Sequence, residues 1–199
     1  MIDFQSAIIL ENDRVRLEPL GFDHHDGLFQ AGNQDDFLLQ YSFNRVHTKE
    51  LLTEFLEKFI GDRMAETRYP FAIFDKQEGR YAGVTTFMSI SNEHKRLEIG
   101  STWIGKEFQR TGLNRNCKFL LLQYCFEKVG AERVELKTDA RNEQSRTAIL
   151  KIGATFEGEL RNHSVMPDGF RRNTVVYSIV KEEWPKIKST IFDKFQNGL

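Results

Sequence analysis

The chain has 199 residues, with 28 basic and 29 acidic side chains and a formal charge of −1. This length suits one domain, residues 1–199, that buries roughly 70% of the surface of its unfolded chain. The near-zero charge argues against partners that require a strongly basic surface, such as nucleic acid or anionic membranes. No apolar run approaches the length of about 18 residues that a membrane span needs.

The N-terminal residues and the cysteines indicate a cytoplasmic protein. The start, MIDFQSAIILENDR, lacks the basic region and long apolar core of a secretory signal. Cys117 and Cys125 fall in one predicted helix, about 12 Å apart, whereas a disulfide needs Cα atoms within roughly 7 Å. We expect two buried thiols. The histidines show no metal-ligand spacing, so no metal is expected.

Hydrophobic periodicity defines the elements of the first half. A weak helix is predicted over residues 23–33, and Thr48 is expected to cap a long helix that runs to about Glu66. The predicted strands of this half are residues 14–20, 71–74, 81–90 and 97–104.

The second half alternates helices with strands. Asn142 is expected to cap a helix that stops at Gly153, and Pro167-Asp168-Gly169 is typical of a hairpin turn. The other predicted elements are a helix over 113–130, strands over 133–138, 155–165 and 171–180, and a C-terminal helix over 182–195. This order predicts an α/β (α+β) fold with a mixed sheet, and excludes a doubly wound nucleotide fold or a barrel.

The loop after the strand over 97–104 carries the clearest chemical signal. Gln109-Arg110-Thr111-Gly112 precedes a helix that begins at Leu113. The first turn of a helix has unpaired N–H groups and the positive end of the helix dipole, so it can bind an anion. Glycine there lets a phosphate approach the backbone. An alternative remains open, in which Gly112 only starts the helix.

This loop belongs to an ordered set of motifs that covers nearly the whole chain, from Arg14-x-x-Leu17-x-x-Leu20 to Tyr177-Ser178. Trp103-Ile104 and Gln109-x-x-Gly112 are followed by Asn142-x-x-Ser145, Gly153-Ala154-Thr155-Phe156 and Asp168-Gly169-Phe170-Arg171. The ordered set resembles the GCN5-related N-acetyltransferase (GNAT) superfamily. Within it, the chain is most similar to the branch of the ribosomal-protein N-terminal acetyltransferases (RimJ/RimL-like).

The resemblance implies acetyl-CoA as cosubstrate, with its pyrophosphate on the backbone amides of Gln109 through Asn114. It also implies a mostly antiparallel sheet in which a β-bulge splays the strand over 97–104 from the strand over 133–138. The pantetheine arm would lie in that gap like an added strand. The cofactor-binding residues that it implies are Trp103, Ile104, Gln109, Arg110, Thr111, Gly112, Leu113, Asn114, Asn142 and Ser145.

Two positions depart from the family pattern. Asn114 stands where the phosphate motif has glycine or alanine, and Ile149 stands where many members have a tyrosine that protonates the leaving thiolate. A thiol has a pKa of about 8.5, so its thiolate leaves readily without that acid. Ser145 can donate a hydrogen bond to the sulfur instead, or its hydroxyl can bond its own backbone. Asn142 is expected both to cap its helix and to contact the cofactor.

Glu98 is the candidate general base, directly or through a water, because it lies on the strand beside the expected thioester. Alternatively, it is a surface carboxylate paired with Arg96 or Lys95. His163 is a second candidate base, although a lone histidine on an alternating strand is usually structural. A backbone N–H near Trp103 or Ile104 is expected to hold the oxyanion.

The acceptor is less constrained by the sequence. The predicted function is acetyl transfer to a primary amine, at a protein N-terminus or on a small molecule, by direct attack in a ternary complex. The alternative is a non-catalytic acetyl-CoA sensor or partner-binding module, and a homodimer through the C-terminal helix is also open. Some of the aromatic residues over 37–43 are expected to line the acceptor pocket. A basic cluster is either a solvated face or a site for the 3′-phosphate or an acidic substrate: Arg141, Arg146, Arg161, Arg171 and Arg172.

Overall fold

A computed structural model describes residues 2–33 and 38–195 of the chain. Its strands form one eight-stranded sheet in the order β1-β2-β3-β4-β5-β6-β8-β7. The strands are β1 (Leu10–Glu11), β2 (Val15–Pro19), β3 (Tyr69–Asp75), β4 (Arg80–Ser91), β5 (Arg96–Ile104), β6 (Arg133–Asp139), β7 (Thr155–Val165) and β8 (Arg171–Val180). Neighbouring strands are antiparallel except β5 and β6, which are parallel. The sheet is therefore mixed and mostly antiparallel, as the sequence predicts.

Helices cover both faces of this sheet. They are α1 (His25–Gly32), α2 (Lys49–Met64), α3 (Leu113–Gln123), α4 (Glu143–Leu150) and α5 (Trp184–Thr190). On one face, Tyr124 at the end of α3 stacks on Phe87 of β4, with ring centroids 6.0 Å apart. On the other face, Gly32 of α1 lies against the Trp103 ring, where a Cβ would be 3.5 Å from the nearest ring atom. Among the helices of the described ranges, none has the length and apolarity of a membrane span.

The predicted helix starts are confirmed. The Thr48 side chain accepts a hydrogen bond from the Leu51 amide at 3.2 Å and caps α2. The helix expected over 113–130 has the predicted extent, but it continues beyond α3 as a wider π-helical turn over Tyr124–Val129. Gly130 ends it in the left-handed conformation, with φ of 71°.

The predicted C-terminal helix is wrong in its extent. Instead of one helix over 182–195, the short helix α5 lies between 3₁₀ turns at Lys181–Glu183 and Asp193–Phe195. The hydroxyls of Ser189 and Thr190 both donate to the Lys186 carbonyl, and such back-bonding weakens a helix. Phe192 then packs fully buried in the core, which requires the chain to leave the helix axis.

Two smaller differences occur near the N-terminus. The weak helix expected over 23–33 begins as a 3₁₀ turn, Phe22–His24, before α1. Strand β1 was not predicted, because two residues are too few to show a periodic pattern.

Candidate active site

The two parallel strands of the sheet separate partway along their length. β5 and β6 pair only at Arg96 with Arg133, Leu97 with Val134 and Glu98 with Glu135. Beyond that point β5 stays paired with β4 as far as Ile104, while β6 stays paired with β8. The result is a V-shaped gap, the β5–β6 cleft, in which the edge of β5 has no strand partner within the described ranges. Such an edge can bind an extended ligand through backbone hydrogen bonds.

A β-bulge in β5 accompanies the separation. Gly100 lies opposite Thr86 and Trp103 lies opposite Val84, so two residues of β5, Ser101 and Thr102, occupy the space of one. Ser101 has a positive φ of 46°, a conformation that non-glycine residues rarely adopt. The structure thus has the bulged, splayed strand that the family resemblance implies.

A buried lysine supports the bulge from α3. Lys118 Nζ donates to Thr102 Oγ1 at 3.0 Å, and the Thr102 hydroxyl also shares a hydrogen bond with Thr85 Oγ1 at 2.8 Å. Burial lowers the pKa of Lys118 to about 8. No sequence pattern marks Lys118, because it lies in the middle of α3 between the buried residues Cys117 and Phe119.

The loop before α3 has the features of an anion site. Arg110 and Gly112 both adopt the left-handed conformation, with φ of 63° and 89°. The backbone amides of Arg110, Thr111, Gly112 and Asn114 have no hydrogen-bond acceptor in the described part of the chain. Alternating left-handed residues turn successive amides to one side, which forms an anion-binding concavity. A Cβ at Gly112 would meet no atom within 4 Å, so there is open space beside these amides.

The amides of two expected residues are used within the protein. The Gln109 amide donates to the Lys106 carbonyl at 3.2 Å, and the Leu113 amide lies 3.4 Å from Thr111 Oγ1. The fully buried Leu113 side chain belongs to the core. The amide row available to an anion is therefore shorter than the stretch from Gln109 to Asn114 that the resemblance implies.

Side chains hold this loop in place. Gln109 Nε2 donates to the Ile104 carbonyl at 3.0 Å, and Gln109 Oε1 accepts from Gln144 Nε2 of α4 at 3.0 Å. The Thr111 hydroxyl donates to the Phe108 carbonyl at 2.7 Å. Gln109 thus braces the loop and connects the β5 side of the cleft with the β6 side.

Asn114 and Arg115 lie at the start of α3, beside the anion site. Asn114 Oδ1 is buried and has no hydrogen-bond partner among the described residues. Arg115 Nη2 donates to the Ile191 carbonyl at 2.5 Å, and the Arg115 guanidinium lies 5.5 Å from the Phe195 ring centre. Arg110, which is exposed, stays beside the amide row.

The start of α4 faces the same cleft from the β6 side. Asn142 Oδ1 accepts a hydrogen bond from the Ser145 amide at 3.0 Å, so Asn142 caps α4 as predicted. The Ser145 hydroxyl makes no hydrogen bond in the described part of the chain, so the alternative in which it bonds its own backbone is wrong. Ile149 is buried in the core and supplies no acid.

The Trp103 and Ile104 side chains are also buried, 3% and 8% exposed. The Trp103 Nε1 atom is sealed from solvent and has no partner among the described residues. Only the backbones of these two residues can therefore contact a ligand in the cleft.

Glu98 lies at the point where β5 and β6 separate, and it is only 7% exposed. Its Oε2 accepts from Lys137 Nζ at 2.9 Å and from Ser89 Oγ at 3.3 Å. Lys137 also pairs with Glu135 at 2.8 Å. Burial alone would lower the pKa of Lys137, but the hydrogen bonds and charges of Glu135 and Glu98 raise it above its usual value. Lys137 is therefore fully charged at neutral pH.

The alternative in which Glu98 is a surface residue paired with Arg96 or Lys95 is wrong. Arg96 is near Glu135 instead, at 3.6 Å. The second oxygen of Glu98, Oε1, makes no hydrogen bond in the described ranges and lies over Gly100, where a Cβ would approach it to 3.0 Å. One carboxylate oxygen is thus anchored, and the other is available at the open end of the strand pair.

Two arginines of the basic cluster, Arg141 and Arg172, lie against aromatic rings. The Arg172 guanidinium lies 5.2 Å from the Phe43 ring centre, and Arg141 lies 3.6 Å from that of Phe170. Phe37, the first residue of the expected acceptor region, lies outside the described residues. His163 Nδ1 is 3.1 Å from Thr174 Oγ1 at the exposed edge.

Comparisons with known proteins agree with this geometry. The family model described as "Acetyltransferase (GNAT) domain" matches residues 14–155. The chain is 31% identical over 107 residues to YdaF of Bacillus subtilis (strain 168), provisionally named as a ribosomal N-acetyltransferase; the match covers 54% of this chain and 57% of YdaF.

Solved structures extend the likeness to the whole fold. A GCN5-related N-acetyltransferase from Brucella melitensis has a TM-score of 0.88 and 31% identity, over 96% of this chain and 86% of that one. The microcin C7 self immunity acetyltransferase MccE, solved in complex with acetyl-CoA and AMP, has a TM-score of 0.74 and 25% identity, over 85% of this chain and 93% of MccE. The unpaired amides and the open space at Gly112 fit the pyrophosphate of acetyl-CoA.

Proposed function

This chain belongs to the GNAT acetyltransferase family and is an acetyl-CoA-dependent N-acetyltransferase, and we propose that its acceptor is the α-amino group at the N-terminus of a peptide or protein. The β5–β6 cleft, with Glu98 at its closed end, carries the proposal. Both cysteines are free thiols, in keeping with the reducing cytoplasm as its compartment.

The amine chemistry favours an α-amino acceptor. An amine must be neutral to attack a thioester. At pH 7 an α-amino group with a pKa near 7.8 is roughly one-tenth neutral, whereas a lysine with a pKa near 10.4 is neutral in only about one molecule in 2,500. The cleft provides one carboxylate that is already engaged with Lys137, which suits an acceptor that needs little assistance.

Each group in the cleft has one task in the proposed reaction. Acetyl-CoA supplies the acetyl group as a thioester. The amides of Arg110, Thr111, Gly112 and Asn114 hold the pyrophosphate, and the free edge of β5 aligns the pantetheine arm.

The proton and the leaving group are handled at the closed end. Glu98 Oε1 accepts the proton of the attacking amine, directly or through a water, while Lys137 keeps the carboxylate in position through Oε2. A backbone N–H of the bulged strand near Trp103 stabilises the oxyanion. The Ser145 hydroxyl donates a hydrogen bond to the leaving sulfur.

The test measures thiol release from acetyl-CoA with matched acceptors. One peptide has a free N-terminus and no lysine, a second has a blocked N-terminus and one lysine, and a set of polyamines and amino acids represents small molecules. We expect the free N-terminus to react at least tenfold faster than the others at pH 7. Faster reaction of the lysine peptide or of a small amine would contradict the proposed acceptor.

A further inference from the structure

Arg172 is a buried cation that the reaction described above does not use. The Arg172 side chain is 8% exposed, and its Nε donates a hydrogen bond to Thr174 Oγ1 at 3.0 Å. Its two terminal nitrogens have no hydrogen-bond or ion-pair partner in the described ranges. Burial lowers the pKa of Arg172, which is the direction expected for a charge removed from water. Such a charge is costly unless something pairs with it.

Among the described residues, the acidic side chains that act on Arg172 are engaged elsewhere. Asp139 Oδ1 accepts from Arg141 Nε at 3.0 Å, and Asp139 Oδ2 accepts from Arg141 Nη2 at 2.8 Å. Glu98 is bound to Lys137. Both carboxylates favour the charged form of Arg172 at longer range, but neither is within 4 Å of it. No carboxylate of the described residues therefore pairs with the terminal nitrogens of Arg172.

An exposed aromatic ring lies beside this guanidinium. Phe43, 49% exposed, lies over Arg172 with 5.2 Å between the guanidinium carbon and the ring centre. A guanidinium held against an aromatic ring keeps its plane while its edge donors stay available. Two parallel N–H donors in such a plane match a carboxylate.

The strand register places Arg172 on the same face as the proposed base. Thr174 is directly opposite Asp139 and Val176 is directly opposite Lys137, the residue bound to Glu98. Directly paired residues and alternate residues share a face of the sheet. Arg172 lies four residues from Val176, which is about 13 Å of backbone at 3.3 Å per residue.

We infer that Arg172 binds a carboxylate of the acceptor several residues away from the amine that is acetylated, so that the enzyme selects peptides with Asp or Glu near their free N-terminus. This inference rests on the proposed function. In an α-amino acid the amine and the carboxylate share one carbon, whereas Arg172 and the β8 position opposite Lys137 are about 13 Å apart along the strand, so an extended peptide fits this spacing better. An extended peptide covers about 13 Å in four residues. Because an acidic side chain adds its own length, the Asp or Glu that reaches Arg172 is expected at position two, three or four, counted from the free N-terminus.

The experiment compares kcat/KM for peptides of equal length that carry Ala, Gln, Asp or Glu at position two, three or four. We expect an acidic residue at one of these positions to raise kcat/KM by roughly tenfold to a hundredfold over Gln, and Arg172→Gln to bring the ratio close to one. Arg172→Lys, which keeps the charge without the planar pair of donors, is expected to retain part of the preference. Circular dichroism and acetyl-CoA affinity check that each variant is folded.

Arg171→Gln is the matched control, because Arg171 is exposed and adjacent in β8, where its side chain belongs to the opposite face. It should keep the full acidic preference. Equal kcat/KM for acidic and neutral peptides in the unmodified enzyme, or a preference that survives Arg172→Gln, would overturn the role of Arg172 and leave the proposed function standing. No reaction with any peptide would contradict the proposed function itself. 6-Aminohexanoate carries an amine and a distant carboxylate without a peptide backbone. If the enzyme acetylates it faster than every peptide, the carboxylate that Arg172 binds does not come from a peptide.

Discussion

Replacing Gly112 with valine is the most direct test of the phosphate site. Gly112 has φ of 89° and open space where a Cβ would lie, beside amides that have no acceptor in the described ranges. A valine side chain would occupy the space that the pyrophosphate needs. A hydrogen bond to a charged group contributes about 1.5–3 kcal/mol. Losing a single amide contact therefore predicts a fall in acetyl-CoA affinity of more than tenfold, since a factor of ten corresponds to about 1.4 kcal/mol.

The substitution also strains the backbone, and this effect needs its own control. Gly130 has φ of 71°, and a Cβ there would likewise meet no atom within 4 Å, but it ends the π-helical turn at the opposite end of the α3 segment. The left-handed conformation costs a non-glycine residue roughly 1–2 kcal/mol, so Gly112→Val and Gly130→Val should lose similar stability.

Isothermal titration with acetyl-CoA separates the two effects. We expect Gly130→Val to bind acetyl-CoA like the unmodified protein, and Gly112→Val to bind more than tenfold more weakly. The corresponding alanine variants repeat the comparison with less strain. Unchanged affinity in a folded Gly112→Val protein, or an equal loss in both variants, would refute the assignment of the loop.

Three further predictions follow from the described contacts. Glu98→Gln should lower the acetyl-transfer rate more at pH 6 than at pH 9, because hydroxide replaces the base once the amine is neutral; a rate ratio that is flat with pH would remove Glu98 from the mechanism. Asn142→Ala and Thr48→Ala each remove a helix cap and should cost about 1 kcal/mol in urea unfolding, but only Asn142→Ala should weaken acetyl-CoA binding; equal affinities would limit Asn142 to capping. Burial lowers the pKa of Lys118 to about 8, so this group contributes stability that increases between pH 8 and about 10, whereas the buried thiols Cys117 and Cys125, whose pKa values burial raises, contribute the opposite trend above about pH 9. Lys118→Met should therefore have a higher Tm than the unmodified protein at pH 7, and this Tm difference should shrink between pH 8 and 10; a difference that does not change with pH would show that Lys118 does not titrate in that range.

Local patterns in the sequence were enough to predict most of the elements. The spacing of apolar residues predicted α2 and α3. The side-chain oxygens of Thr48 and Asn142, which can accept a hydrogen bond from a helix amide, predicted where α2 and α4 begin. The loop at Gly112 was identified because a glycine between a strand and a helix is a local signal. The C-terminal helix was predicted too long because apolar spacing does not report the burial of Phe192 or the back-bonding before it.

The contacts that shape the site come from residues far apart in sequence. Glu98 and Lys137 are 39 positions apart and meet only because β5 and β6 are parallel neighbours. The position of the bulge at Ser101 depends on how β5 aligns with β4, which no single strand encodes. The burial of Arg172 depends on the packing of Phe43, from a segment whose sequence has no periodic signal.

The lysine shared by two carboxylates has a mechanical consequence for the sheet. Lys137 joins Glu98 to Glu135 at the last position where β5 and β6 are paired, so an ionic contact holds the strands together where the backbone ladder stops. The closed end of the cleft is therefore set by this ionic contact as well as by the last backbone pair. Exchanging Lys137 for an uncharged residue would leave Glu98 without its ionic partner, whereas Glu135 would keep Arg133 at 3.2 Å and Arg96 at 3.6 Å, so the Arg96–Glu135 pair would be the ionic contact left between the two strands there.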